Sequence, residues 1–288
     1  MSWKNEDKFV IIDIGSNTIR SVLYDEDGTL SKKENIVFPS YILSDTKDGE
    51  LTSRGLETLI SDIKKVQEYF LPCKNFYAFA TSAMRDVKNF SQVFEKIKSE
   101  TGVEIDLISG ETEALCDFLA IKNVSSENKG IAVDLGGGSA QVIVYSDDKV
   151  LESTSKPIGV KRVKNLFLED VFPTDDEILK ISRYIEENLS EIKGRCDTLW
   201  FMGGTLKAIE GALKKLFKCE EITTDILDEL YAFICENPEM AQKMFYKRYD
   251  VMPTGIIVTK EICKCLGAKK IRVADMGVRD GYVKLKIL

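Results

Sequence analysis

Apolar runs of strand length and stretches with helical spacing alternate along most of the 288-residue chain. One pattern occurs twice. "FVIIDIGSNTIRSVLYDEDGTL" (9–30) runs from an apolar strand into Asp-x-Gly, then through small polar residues into a second strand ending in Tyr24. "GIAVDLGGGSAQVIVYSDDKVL" (130–151) has the same order, its second strand ending in Tyr145. Asp13 corresponds to Asp134 at an offset of 121 residues, and an acidic turn, Asp25–Asp27 or Asp147–Asp148, closes each copy. Short strands around glycine turns also arise by chance. The joint match of Asp, Gly, Tyr and acidic turn favours duplication, hence two like-built domains that each open with a β-hairpin.

The rest of each half alternates helix and strand. Helical spacing covers 55–70 up to Pro72, and "NFYAFA" (75–80) reads as a buried strand capped by Thr81-Ser82. A helix over 91–102 stops at Gly102, and 103–109 is a further strand. In the second half, Thr174 and Glu177 form a capping box for a helix stopping at Gly194. A strand (198–204) runs into "TLKAIEGALKKLF", a helix covers 255–268, and the chain closes with a strand and an Arg-Asp-Gly turn. This alternation predicts an α/β protein with mixed sheets. The loop-like "KNVSSENKG" sets the expected domains at 1–123 and 124–288.

Composition removes whole classes of function. No stretch approaches the roughly 20 apolar residues of a membrane span, and "MSWKNEDKFV" lacks the succession of a signal peptide. A net charge of −7 argues against a surface built for nucleic acid or anionic lipid. Seven cysteines, an odd number without C-x-x-C, read as reduced thiols in a cytoplasmic protein. The chain has no histidine, which excludes Ser-His-Asp and Cys-His catalysis and the common zinc sites. A base working near neutral pH is then expected to be a carboxylate, and a metal to be an oxygen-liking ion such as Mg²⁺ or another divalent cation.

Four junctions suit an anion. In Asp13-Ile-Gly15-Ser16-Asn17-Thr18 and Asp134-Leu-Gly136-Gly137-Gly138-Ser139, glycines let backbone N–H groups approach a phosphate, and the hydroxyls and Asn17 add hydrogen bonds. Asp13 or Asp134 would repel a bare phosphate and becomes useful when a divalent cation stands between. The competing reading is a tight hairpin whose Asp bonds its own turn. Gly203-Gly204-Thr205, with Lys207 in the first helical turn, suits an anion at a helix N-terminus and equally suits simple packing. In "FATSAMRD", Arg85 suits phosphate oxygens or a salt bridge with a nearby acid. Glu111 and Glu113 follow Ser109-Gly110 at a helix start; they are ordinary favourable charge there, or one is the base that activates a water.

Taken together, Asp13-x-Gly-Ser-Asn-Thr, Ala80-Thr-Ser-Ala-Met-Arg85, Ile108-Ser-Gly-x-x-Glu-Ala114, Asp134-x-Gly-Gly-Gly-Ser139 and Gly203-Gly-Thr205 resemble the exopolyphosphatase/guanosine pentaphosphatase (Ppx/GppA) family. That family lies within the actin/Hsp70/sugar-kinase superfamily. "RYDVMPTGIIV" and "GVRDGYV" are similar to its closing segments. The resemblance implies two ribonuclease-H-like, actin-like ATPase domains with mixed sheets and an interdomain cleft. It implies Mg²⁺-dependent hydrolysis of terminal phosphoanhydrides, with inorganic polyphosphate or guanosine penta- or tetraphosphate as partner. Glu113 matches the catalytic glutamate, Asp134 the metal-associated acid, and Ser16, Asn17, Arg85, Gly137, Gly138 and Ser139 the phosphate contacts.

The chain looks like the short, two-domain form, without the extra helical domain of longer members. Gln141 stands at a catalytic position where the family usually has glutamate. An amide keeps the hydrogen-bonding shape but cannot take a proton, so weaker metal affinity and lower turnover are expected. A non-hydrolysing sensor of the same polyanions is the alternative, and a sugar or acid kinase a third reading. Lys161, Arg162, Lys164, Lys207, Lys214 and Lys215 supply a basic groove or ordinary solvated faces. Neither nucleic acid nor membrane is expected as partner, and a homodimer is compatible with the sequence.

Overall fold

The computed structural model describes residues 8–15, 18–27, 30–40, 42, 44–125, 127–147 and 149–288. It divides into two compact units: Met1–Cys116 with Arg279–Leu288, and Asp117–Val278. The compact units part at 116/117 along the chain, and the C-terminal residues group with the first unit.

In the first unit, β1 (Phe9–Ile14), β2 (Thr18–Tyr24) and β3 (Leu30–Pro39) form an antiparallel meander. A ribbon of β4 (Thr46–Lys47) and β5 (Glu50–Leu51) leads into α1 (Ser53–Tyr69). Then come β6 (Asn75–Ala80), α2 (Ser82–Arg85), α3 (Phe90–Thr101), β7 (Ile105–Leu107) and α4 (Gly110–Lys122), within which the division falls. The second unit begins its sheet with β8 (Lys129–Leu135), β9 (Ala140–Ser146) and β10 (Lys149–Lys156), again an antiparallel meander. Next are α5 (Val160–Phe167), α6 (Asp175–Leu189), β11 (Thr198–Met202), α7 (Gly204–Phe217), β12 (Ile222–Thr223) and α8 (Thr224–Glu236). The unit continues through α9 (Pro238–Phe245), α10 (Met252–Leu266) and β13 (Lys270–Val273), and the chain ends in α11 (Val278–Lys286).

Among the described residues, the sheet orders are β3-β2-β1-β6-β7 and β10-β9-β8-β11-β13-β12, with β6 parallel to β1 and β11 parallel to β8. The two meanders also match in detail. Gly15 N–H donates to Thr18 O and Gly136 N–H to Ser139 O, each at 3.0 Å. Asp13 faces Arg20 across one hairpin, and Asp134 faces Gln141 across the other. Both pairs keep the 121-residue offset, so the duplicated pattern is a duplicated turn.

Alternation along β1 creates two faces. Val10, Ile12 and Ile14 pack with Leu59, Ile63 and Val66 of α1 and Val93 and Ile97 of α3. On the other face lie Ile11, Asp13 and, on β6, Phe79, and α11 covers them: the Tyr282 and Phe79 ring centroids are 4.7 Å apart. In the second unit, Ile131, Val133 and Leu135 join the core built with α5 to α10. The opposite face carries Tyr145, whose ring meets Phe118 of α4.

Two expectations change. Arg279-Asp280-Gly281 lies inside α11 and not in a turn, because Asp280, Gly281, Tyr282 and Val283 are all buried against the first unit. The helix begun by the Thr174–Glu177 capping box ends at Leu189, short of Gly194. None of the seven cysteines is in a disulfide. No helix among the described residues is long and apolar enough to cross a membrane.

Candidate active site

The first unit brings Arg85 and Glu113 together. β6 delivers Thr81 and the short α2, which ends at Arg85; β7 delivers Ser109 and the start of α4. Ser109 accepts from Thr112 N–H through Oγ at 3.1 Å and from Glu113 N–H through its carbonyl at 2.9 Å, which fixes the first turn. Arg85 then donates from Nη2 to Glu113 Oε2 at 3.0 Å and from Nη1 to Ile108 O at 2.7 Å. The two side chains are 25% and 13% exposed, so this pair is far better shielded than a surface salt bridge. Glu111 behaves differently: its exposed carboxyl is held below the usual range by its own backbone amide and by Ser109. Glu111 is thus the helix-start charge, and Glu113 is the carboxylate aimed at the guanidinium.

At the hairpin of the same unit, Asp13 meets Arg279 of α11, Nη1 to Oδ2 at 2.9 Å. Burial lifts the Asp13 carboxyl above its ordinary range, while Arg279 and then Arg20 oppose that lift. Tyr24 donates to Asp280 Oδ1 at 3.0 Å in the adjacent position. Gly15 and Thr18 close the turn, with Thr18 exposed. Ser16 and Asn17, expected as phosphate contacts, lie outside the described residues.

The second unit holds Asp134 at the end of β8, with Gly136, Gly137, Gly138 and Ser139 forming the turn into β9. Its cross-strand neighbour Gln141 is buried, and Gln141 Nε2 has no hydrogen-bond partner among the described residues. The start of α7 adjoins this turn: a Cβ placed on Gly203 would stand 3.3 Å from Asp134 Oδ1. Thr205 is buried, and Lys207 donates to Asp275 O at 2.6 Å. Arg248 lies with its guanidinium against Gly204. Of the basic residues expected to form a groove, Lys164 pairs with Asp250 and Lys214 with Glu210.

A divalent ion fits Asp134 better than Asp13. Arg279 already binds Asp13 Oδ2 through Nη1 at 2.9 Å, and its positive charge beside that carboxylate opposes a second cation there. Asp134 faces the amide residue Gln141 across the hairpin and has the glycine turn directly after it. Among the described residues no three His, Cys, Asp or Glu gather into a metal cage. That donor set suits Mg²⁺, which takes one or two carboxylates and completes its shell with water and phosphate oxygens.

A model of the Ppx/GppA phosphatase family matches residues 31–287. The chain belongs to the Ppx/GppA phosphatase family. Exopolyphosphatase 1 of Mycobacterium tuberculosis is 30% identical over 300 residues, covering 96% of this chain and 87% of that protein. A guanosine-5'-triphosphate,3'-diphosphate pyrophosphatase of Photobacterium profundum is 22% identical over 291 residues, covering 96% and 58%. The crystal structure of the type II variant of the Aquifex aeolicus Ppx/GppA phosphatase superposes with a TM-score of 0.81 at 25% identity, over 98% of this chain and 99% of that one. The two units of the family fold described above are those of an actin-like ATPase.

Sequence reasoning missed three arginines. Arg279 stood in a segment read as a turn, Arg20 on the second strand of the hairpin, and Arg248 in a stretch noted only for its likeness to the family. The 121-residue offset held a signal for Arg20: it is the counterpart of Gln141, itself singled out.

Proposed function

We propose that this phosphatase releases the terminal phosphate of inorganic polyphosphate, or of guanosine pentaphosphate, with Glu113 as the base. The observation that carries the reading is the shielded Arg85–Glu113 pair at the start of α4. In a chain without histidine, an oriented carboxylate is the group suited to take a proton from water. As that proton passes to Glu113 Oε, the water oxygen bonds to the terminal phosphorus. The bond from that phosphorus to its bridging oxygen breaks, and orthophosphate and a shortened polyanion leave. Arg85 uses two of its N–H groups on Glu113 and Ile108, and others remain for a phosphate oxygen. The turn at Gly136–Ser139 supplies backbone amides. Asp134 would hold Mg²⁺, which when bound neutralises charge on phosphate oxygens.

The test is phosphate release from polyphosphate, guanosine pentaphosphate and ATP, each with and without Mg²⁺. Mg²⁺-dependent release from either of the first two is expected. Release from ATP alone, with transfer to a small acceptor, would replace this reading by a kinase.

One observation favours a second reading. Gln141, buried and with an unsatisfied amide, cannot serve as acid or base, which suits a protein that binds these polyanions without cleaving them. Calorimetric binding of polyphosphate with no phosphate released over hours would select it.

A further inference from the structure

The triglycine turn has a backing that no motif announces. Helix α5 starts directly behind it, with Gly159 as its N-cap residue. Val160 N–H donates to Gly136 O and Arg162 N–H to Gly137 O, both at 3.0 Å. These are two of the N-terminal amides that a helix leaves without an internal partner. The approach requires a glycine: a Cβ on Gly159 would overlap the backbone of Gly137, Gly138 and Ser139.

Among the described residues the only cis peptide bond is Leu71–Pro72, so the peptides joining Gly136 to Gly137 and Gly137 to Gly138 are trans and planar. Their C=O and N–H bonds therefore point in opposite directions. With both carbonyls turned onto α5, the N–H groups of Gly137 and Gly138 point away from it, and neither has an acceptor among the described residues. The helix N-terminus also carries partial positive charge. Hydrogen bonding to it polarises those two peptides and strengthens their outward N–H donors.

We propose that α5, seated by Gly159, is the positioning element that aims and polarises the Gly137 and Gly138 amides toward a phosphate group. This rests on the reading of the turn as a phosphate site, and it assigns Gly159, Val160 and Arg162 a function through their backbones. The turn is thus approached from α5 on one side while its amides face a ligand on the other.

The test removes single backbone donors. In the full chain, Val160 is replaced by α-hydroxyvaline, an ester in place of the amide, and Lys161 by its own α-hydroxy acid as the control. Lys161 N–H makes no bond to the turn. Affinity for inorganic triphosphate is measured by calorimetry, and the Gly137 and Gly138 amide resonances are followed by nitrogen-15 NMR. In the natural chain, triphosphate should move both resonances downfield. The ester at Val160 should weaken binding about fivefold, the weight of one net hydrogen bond, and shrink those shifts, while the ester at Lys161 stays within about twofold of the natural chain. Gly159→Ala should weaken binding further by pushing the turn outward. Equal affinities for the two esters, or glycine amides that ignore triphosphate, would overturn the proposal. Protein that binds triphosphate through these amides yet releases no phosphate would overturn the hydrolase reading and leave this one supported.

Discussion

With Arg279 2.9 Å from its carboxylate, Asp13 does work that its place in a glycine motif did not announce. It balances a buried guanidinium. Removing one member of such a pair strands the other, at a cost of about 3–5 kcal/mol. Asp13→Ala and Arg279→Met should each lower thermal stability on that scale, and the double variant should recover much of the loss. Additive losses in the double variant would mean that the two charges are not coupled. At Glu113 the expectation is catalytic: Glu113→Gln keeps shape and burial but removes the base, so phosphate release by the folded variant should fall about 10²–10⁴-fold. Normal turnover would remove Glu113 from its role. Gln141→Glu is expected to raise phosphate release, provided the added carboxylate faces Asp134 as the cross-strand register has it. An unchanged or lower rate would show that the amide is not what limits this chain.

At the scale of elements, helix starts were legible and helix ends less so. The Thr174–Glu177 box stands where the sequence pattern has it, because a cap is a local interaction among four residues. The identity of α11 was hidden for the opposite reason. Its nine residues are too few to be helical alone, and their stability comes from burying Tyr282 on Phe79 and Arg279 on Asp13. Gly281 makes that docking possible, since a Cβ there would overlap the Cys116 carbonyl of α4. Gly281→Ala, although favourable to an isolated helix, should therefore lower the stability of the first unit. Faster hydrogen exchange across residues 278–286 is the expected signature, and unchanged protection there would contradict this packing.

At the scale of the whole molecule, the first unit is not one continuous piece of chain, since Arg279–Leu288 belong to it. Ending the chain at Val278 should uncover the sheet face bearing Ile11, Tyr24 and Phe79. Such a protein is expected to bind hydrophobic dyes and to unfold at lower urea concentration than the full chain. What depends on near neighbours or on repetition was legible along the chain: the two hairpins at a 121-residue offset, the alternation of strand and helix, and the Thr174–Glu177 cap. Composition and spacing left Glu111 and Glu113 open, both being acids in one helical turn, and only the family resemblance singled out Glu113. The tertiary structure separates the two physically, by setting Arg85, 28 residues away, against Glu113. The same holds for Asp13, whose partner lies 266 residues away, and for α5 behind the glycine turn. Charge pairing and close backbone approach are properties of distances in space, and no local pattern along the chain carries them.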